Sequence, residues 1–160
     1  MPLAAGTTAP DFTLKTLSST GLDDVSLSAT YAEKNVVLLF FPGAFTSVCE
    51  QELCDVSSGL SAYNDLNAQV FGISQDSPFA LTAWASQKGI SFPLLSDWGG
   101  KVTEAYDVVF PDFAGLGPGT ARASFVIDKN GVIVYAVQTP TLRDLPDFAA
   151  ILAALEKAAL

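Results

Sequence analysis

The chain has no histidine and only two cysteines among its 160 residues. Without histidine, Ser–His and Cys–His nucleophile–base pairs are excluded, as is every metal site that needs an imidazole ligand. The two cysteines, Cys49 and Cys54, do not form a Cys-x-x-Cys dithiol. Arginine is nearly absent too, confined to Arg122 and Arg143. No phosphate-binding loop is present. The "GLGPG" at 115–119 lacks the Lys-Ser/Thr pair and the strand–turn–helix setting, and reads as a solvated turn.

Charged residues make up 16% of the chain against 49% hydrophobic ones, and the net charge is -9. That balance describes a globular protein with a solubilising acidic surface, and argues against nucleic acid or an anionic membrane as partner. No apolar run approaches the roughly 20 residues of a membrane span. The opening "MPLAAGTTAPDF" lacks the charged and apolar regions of a signal peptide. A cytoplasmic, reducing location is the expectation. There, two cysteines are working thiols or small buried hydrophobes rather than a structural staple. Neither a metal nor a cofactor is expected.

The length suits one domain over residues 1–160 with a single substantial core. "FTLKTL" and "VSLS" alternate around "SSTGLDD" and predict an N-terminal hairpin. "VVLLFF" (36–41) is a continuous apolar run of the kind buried on both faces of a sheet, ended by Pro42-Gly43. A helix follows. Ser47 with Glu50 fits a capping box, Thr46 is the alternative cap, and Leu53, Val56, Leu60 and Tyr63 recur at helical spacing. "AQVFGIS" (68–74) is a second buried strand. Ser77-Pro78 starts a helix whose apolar stripe includes Leu81 and Trp84 and which stops at Lys88-Gly89.

"FPLLSD" (92–97) reads as an edge segment and "KVTEAYDV" as a short helix. "ASFVID" and "VIVYAV" flank Lys129-Asn130-Gly131, the strongest hairpin signal in the chain. Asp144 is expected to cap a closing helix with Leu145, Phe148, Ile151, Leu152 and Leu155 inward. A βαβ crossover joined to a β-hairpin and a last helix is an α/β, thioredoxin-like arrangement, with helices on both faces of a mixed sheet.

Cys49 falls in the first turn of the helix after Pro42. An unperturbed thiol titrates near 8.5, and bringing one to about 6 takes roughly 3.4 kcal/mol. A helix N-terminus supplies about 0.3–1 kcal/mol, about 2 at most. Glu50, Glu52 and Asp55 work against it. A close cation can supply the rest, about 4 kcal/mol at 4 Å with an effective dielectric of 20. Arg122, just before "ASFVID", would project from the start of a core strand and is the natural candidate. Thr46, a turn upstream, can aim its hydroxyl at the thiolate or at an oxygen substrate. Taken singly, Cys49 reads as a buried small residue, Thr46 as a cap, Glu52 as a surface charge and Pro42 as a strand stop.

Together these residues resemble the peroxiredoxins. Pro42-Gly43-Ala44-Phe45-Thr46-Ser47-Val48-Cys49 reproduces their P-x-x-x-T-x-x-C signature after the expected strand. "TTAPDFTL" (7–14), "PLLSD" and "ARASFVID" are similar to further family blocks in the same order. The "FPLLSD…AYDV" stretch and the late Arg143 look most like the AhpE-type branch. A second cysteine five positions on is shared with bacterioferritin-comigratory-protein or PrxQ-like members.

The resemblance implies a thiol peroxidase for hydrogen peroxide and organic hydroperoxides, with Cys49 as the peroxidatic cysteine. Thr46 and Arg122 would orient the peroxide, Pro42 would shield the site, Glu52 would position the arginine, and Arg143 would lend weaker support. "VVFPDFAGLGPG" lies beside the site, where it contacts a hydroperoxide or partner or simply packs on the core. A monomer or weak homodimer is the expectation.

Five helical residues advance about 7.5 Å and leave side chains some 140° apart, beyond the roughly 7 Å Cα separation a disulfide tolerates. If Cys54 resolves the oxidised Cys49, the helix start must unwind, and a thioredoxin-type partner would then reduce the disulfide. The alternative is a one-cysteine enzyme, with Cys54 a packed thiol and an external low-molecular-weight thiol as reductant. A redox-sensing or interaction protein on the same fold is the reading from a different functional class.

Overall fold

The computed structural model describes residues 1–160. It begins with a hairpin of β1 (Thr13–Ser18) and β2 (Gly21–Ser26), in which Ser18 pairs with Gly21 across a two-residue turn. The turn is tighter than "SSTGLDD" suggested, and "VSLS" is only half strand. Ser26 accepts a hydrogen bond from Ala29 N at 3.3 Å and so caps α1 (Leu27–Tyr31), a short helix absent from the expectation.

The apolar run becomes β3 (Asn35–Phe40), buried at every residue. After it come α2 (Ser47–Ser58), α3 (Leu60–Asp65), β4 (Ala68–Ser74) and α4 (Pro78–Lys88). Gly59 divides what the periodicity had joined as one helix. Ser77 accepts from Ala80 N at 3.1 Å with Pro78 at the first helical position, as the sequence signals. Next are β5 (Leu94–Ser96), α5 (Lys101–Ala105), the small ribbon of β6 (Val109–Phe110) and β7 (Gly119–Thr120), then β8 (Ala123–Ile127) and β9 (Ile133–Gln138).

The last helix, α6 (Phe148–Ala158), is capped by Asp147, which accepts from Ala150 N at 3.0 Å. The expected cap, Asp144, instead takes the backbone N–H and hydroxyl of Thr141, each at 2.9 Å. Leu145 therefore lies before the helix and is exposed, while Ile151 and Leu155 are buried as expected.

The seven-stranded mixed sheet has the order β2-β1-β5-β4-β3-β8-β9. β3, β4 and β5 are parallel, and β1, β8 and β9 pair antiparallel to their neighbours. β5 is thus an interior strand rather than an edge, because the N-terminal hairpin covers it. Alternate residues of β3 face opposite ways. Val36, Leu38 and Phe40 pack with α1 and α5, whereas Val37 and Leu39 pack with α2, α3, α4 and α6. The C-terminal ends of the parallel strands come to one edge of the sheet, and the start of antiparallel β8 meets them there.

Gly89 ends α4 with φ +68, in the left-handed region that glycine enters at least cost. No atom crowds the position where a Cβ would stand. Gly89→Ala is therefore expected to cost about 1 kcal/mol from backbone strain alone. The check is a lower urea midpoint at unchanged slope; an unshifted midpoint would show that this end of α4 relaxes freely.

Candidate active site

Pairing of β3 with β8 sets Phe40 opposite Ala123, so Arg122 stands just beyond the end of β3, where the chain turns towards α2. That register carries the guanidinium to the helix N-terminus. Cys49 is the third residue of α2 and is 1% exposed. Thr46 occupies the N-cap position, but its side chain makes no capping bond. Its hydroxyl donates to Gly43 O at 2.7 Å. The expected Ser47–Glu50 capping box does not form either, because Glu50 reaches out to α4. There its carboxylate accepts from Trp84 Nε1 at 3.2 Å and pairs with Lys88 at 3.6 Å. The amides of the first turn are left without a side-chain acceptor, pointing at the region in front of Cys49.

Arg122 is buried and gives its planar fork to three acceptors. Nη1 donates to Cys49 Sγ at 3.4 Å and to Glu52 Oε2 at 2.5 Å, and Nη2 donates to Leu142 O at 2.8 Å. Glu52, one turn after Cys49, is wholly buried. It is an internal counter-ion rather than a surface charge. Its Oε1 and Arg122 Nε have no protein partner. Burial pushes the Glu52 carboxyl up from 4.5 to about 7, with the charge and hydrogen bond of Arg122 opposing. For Arg122, desolvation acts downwards, but Glu52 and Cys49 together hold the guanidinium above its ordinary range. We take the arginine as permanently charged and the carboxyl as the group of the pair that titrates.

A pocket of about 100 Å³ opens onto Cys49, lined by Pro42, Thr46, Val48, Phe113, Arg122 and Leu142, among others. At about 30 Å³ per liquid water, it has room for a few small atoms. Pro42 is buried in its wall. Arg143 is not in this group: its side chain is exposed, lines none of the pocket and makes no hydrogen bond or ion pair. That segment reaches the site through the carbonyl of Leu142 instead. Cys54 looks the other way, its Sγ 3.8 Å from Lys88 O at the end of α4. Both thiols are free.

Leu142 and Phe113 were not singled out by sequence reasoning. A backbone carbonyl has no residue signature, and Phe113 lies in a segment expected beside the site but with its role there left open between substrate contact, partner contact and core packing. Its neighbour loop is legible only in part: Asp112 accepts from Gly115 N and Gly117 N at 3.2 and 3.1 Å, making "GLGPG" a turn.

The profile of the AhpC/TSA family matches residues 5–136 of the chain. Alkyl hydroperoxide reductase E of Mycobacterium tuberculosis is 39% identical over 136 residues, covering 84% of each protein. The mitochondrial thioredoxin-dependent peroxide reductase of Drosophila melanogaster is 34% identical over 145 residues, or 86% of this chain and 58% of that protein. Among solved structures, reduced Prx3 of Vibrio vulnificus in complex with hydrogen peroxide superposes with a TM-score of 0.84. It shares 26% identity and covers 96% of this chain and 99% of its own.

The buried carboxyl makes stability depend on pH in a definite direction. The folded chain holds the Glu52 proton more tightly than the unfolded chain. The stabilisation from this group is full below about 4.5 and is lost as pH rises through about 7. Wild type should therefore lose stability relative to Glu52→Gln across that window. Parallel urea midpoints for the two chains from acid to neutral pH would contradict it.

Proposed function

The chain belongs to the AhpC/TSA family, the peroxiredoxins, and from that premise we propose that Cys49 is its peroxidatic cysteine and Cys54 its resolving cysteine. Peroxiredoxins are enzymes of peroxide reduction. The observation that carries the assignment of Cys49 is the 3.4 Å contact from Arg122, whose charge is anchored at the same time on buried Glu52.

The Cys49 thiolate attacks one oxygen of hydrogen peroxide or an organic hydroperoxide. An S–O bond forms as the O–O bond breaks, and the departing oxygen leaves as water or alcohol after taking a proton. Cys49 is left as a sulfenic acid. Arg122 stabilises the thiolate and the charge that develops on the departing oxygen. Thr46, its hydroxyl hydrogen donated in a hydrogen bond to Gly43 O, presents lone pairs that accept from the peroxide hydroxyl. Pro42 keeps water off the sulfur, and Glu52 fixes the plane of the guanidinium. Arg143 supports the site only through its segment, whose Leu142 carbonyl holds Nη2.

The sulfenic acid then condenses with the Cys54 thiol, giving a disulfide and water. A thioredoxin-type dithiol in the cytoplasm restores both thiols; the similarity to the thioredoxin-dependent peroxide reductase of Drosophila supports that reductant. Condensation requires the first turns of α2 to unwind. A specific observation favours a second reading, a one-cysteine peroxidase recycled by an external thiol: Cys54 is tied to Lys88 O on the side away from the pocket.

Intact mass after one equivalent of hydrogen peroxide, quenched quickly without added thiol, separates these readings. Loss of two hydrogens in wild type, replaced by gain of one oxygen in Cys54→Ser, is the expected result. Gain of one oxygen in both chains would establish the one-cysteine reading. No prompt change in either would overturn Cys49 as a peroxidatic residue.

A further inference from the structure

Between β3 and α2 the chain passes through Phe41–Thr46, and little of that turn is held by regular structure. Phe45 sits at φ +63, a left-handed conformation that a residue with a bulky side chain does not adopt unless its surroundings impose it. The Thr46 hydroxyl holds Gly43 O rather than the helix. Phe45 itself is half exposed, with its ring 6.3 Å from that of Trp84. Something else must fix Gly43 and Ala44.

That anchor comes from 32 positions away in sequence. Asp76 Oδ2 accepts the backbone N–H of Ala44 at 2.8 Å. The same oxygen accepts the hydroxyl of Ser74 at 2.6 Å, and Ser74 Oγ accepts Asp76 N at 3.2 Å. Asp76 O accepts Ser96 Oγ at 2.6 Å. Ser74 and Ser96 are buried partners at the ends of β4 and β5. Asp76 is thereby clamped to two interior strands, and it passes that rigidity to the turn. Gly43 lies beside both: a Cβ on it would stand in ordinary contact, 3.5 Å from Phe113 and 4.0 Å from Asp76 Oδ2.

We infer that Asp76 is a positioning residue for the reaction of Cys49, acting through Ala44 to hold Thr46 and the first turn of α2 against the pocket. The inference rests on the peroxidase reading of Cys49. Asp76 touches neither substrate nor sulfur. Its work is to keep the Thr46 oxygen and the free amides where a peroxide meets them, a geometry in which small displacements are costly. A plain turn-forming aspartate would close its bonds within its own loop. This one spends its shared oxygen on a distant backbone amide beside a strained residue.

The test uses the full chain with Cys54→Ser, reading two reactions of reduced Cys49: oxidation by hydrogen peroxide and alkylation by iodoacetamide. In Asp76→Ala the oxidation rate constant should fall about tenfold to a hundredfold, the effect of one charge-assisted hydrogen bond. Alkylation should rise, because a loosened turn uncovers the sulfur. Asp76→Asn should restore most of both, since its amide oxygen can take the place of Oδ2 for Ala44 and Ser74 and only the share owed to the charge is lost. Asp76→Glu keeps the charge and displaces it by one methylene; it should behave like Asp76→Ala even if the alanine chain fails to fold.

Oxidation unchanged in Asp76→Ala and Asp76→Glu, an asparagine variant as impaired as they are, or both reactions falling together would overturn the inference alone. A parent chain slow to oxidise would overturn the peroxidase reading and this inference with it.

Discussion

The guanidinium of Arg122 is the constraint on which the rest of the site depends. Burying a charge is costly unless it is paired and hydrogen-bonded, because desolvation can exceed the gain from a single partner; of the guanidinium nitrogens only Nε is left without a protein partner. Here Glu52 supplies the opposite charge, and Cys49 Sγ and Leu142 O accept two further bonds. The carboxylate is strained by the same burial, which is why its proton is held up to about 7. A hydrophobic trio would fill this space at lower electrostatic cost. What the polar trio provides is a cation fixed in orientation beside a sulfur, and on the proposed peroxidase reading it needs no reorganisation when charge develops on the departing oxygen.

The fold brings these groups together by register. β8 runs antiparallel to β3, so the residue before β8 meets the turn that follows β3. α2 starts at that turn, with Cys49 and Glu52 one helical turn apart and facing the same guanidinium. On its far side α2 is strapped to α4 through Glu50 and Ser57; the latter bonds to Gly89 O at 3.1 Å. Cys54 lies on that strapped side. Any pairing of the two sulfurs must give up helix at the N-terminal end, where the capping bonds are already missing.

Much of this was legible in the sequence, for identifiable reasons. Val36–Phe41 is a continuous apolar run, and β4 is mostly apolar, because both faces of these strands are covered. α4 carries Ser-Pro at one end and Gly at the other, and β8–β9 turn at Asn130-Gly131. The meeting of Cys49 and Arg122 could be anticipated from the thiol's need for a close cation and the arginine before a core strand, whereas Glu52 beside them was implied only by the resemblance to the peroxiredoxins and by itself read as a surface charge. What failed were features decided by partners distant in sequence. β5 looked like an edge because a three-residue strand does not announce the hairpin that covers it. Glu50 looked like half of a capping box until Trp84 and Lys88 claimed it, and Asp144 looked like a cap until Asp147, closer to the apolar stripe, took that place. The carbonyl of Leu142 and the bond from Ala44 to Asp76 involve backbone atoms that every residue possesses, so no residue type marks them.

Arg122 is more than a positive charge: its fork reaches sulfur, carboxylate and carbonyl at once. Arg122→Lys preserves the charge opposite Glu52 and removes that geometry. The decisive measurement is the rate constant for oxidation of reduced Cys49 by hydrogen peroxide in this variant and in wild type, both in a Cys54→Ser chain. A loss of about a hundredfold or more is expected, the scale of removing one preorganised donor from a developing oxyanion. Equal rates in a folded Arg122→Lys chain would contradict it, because charge alone would then account for whatever reactivity Cys49 has.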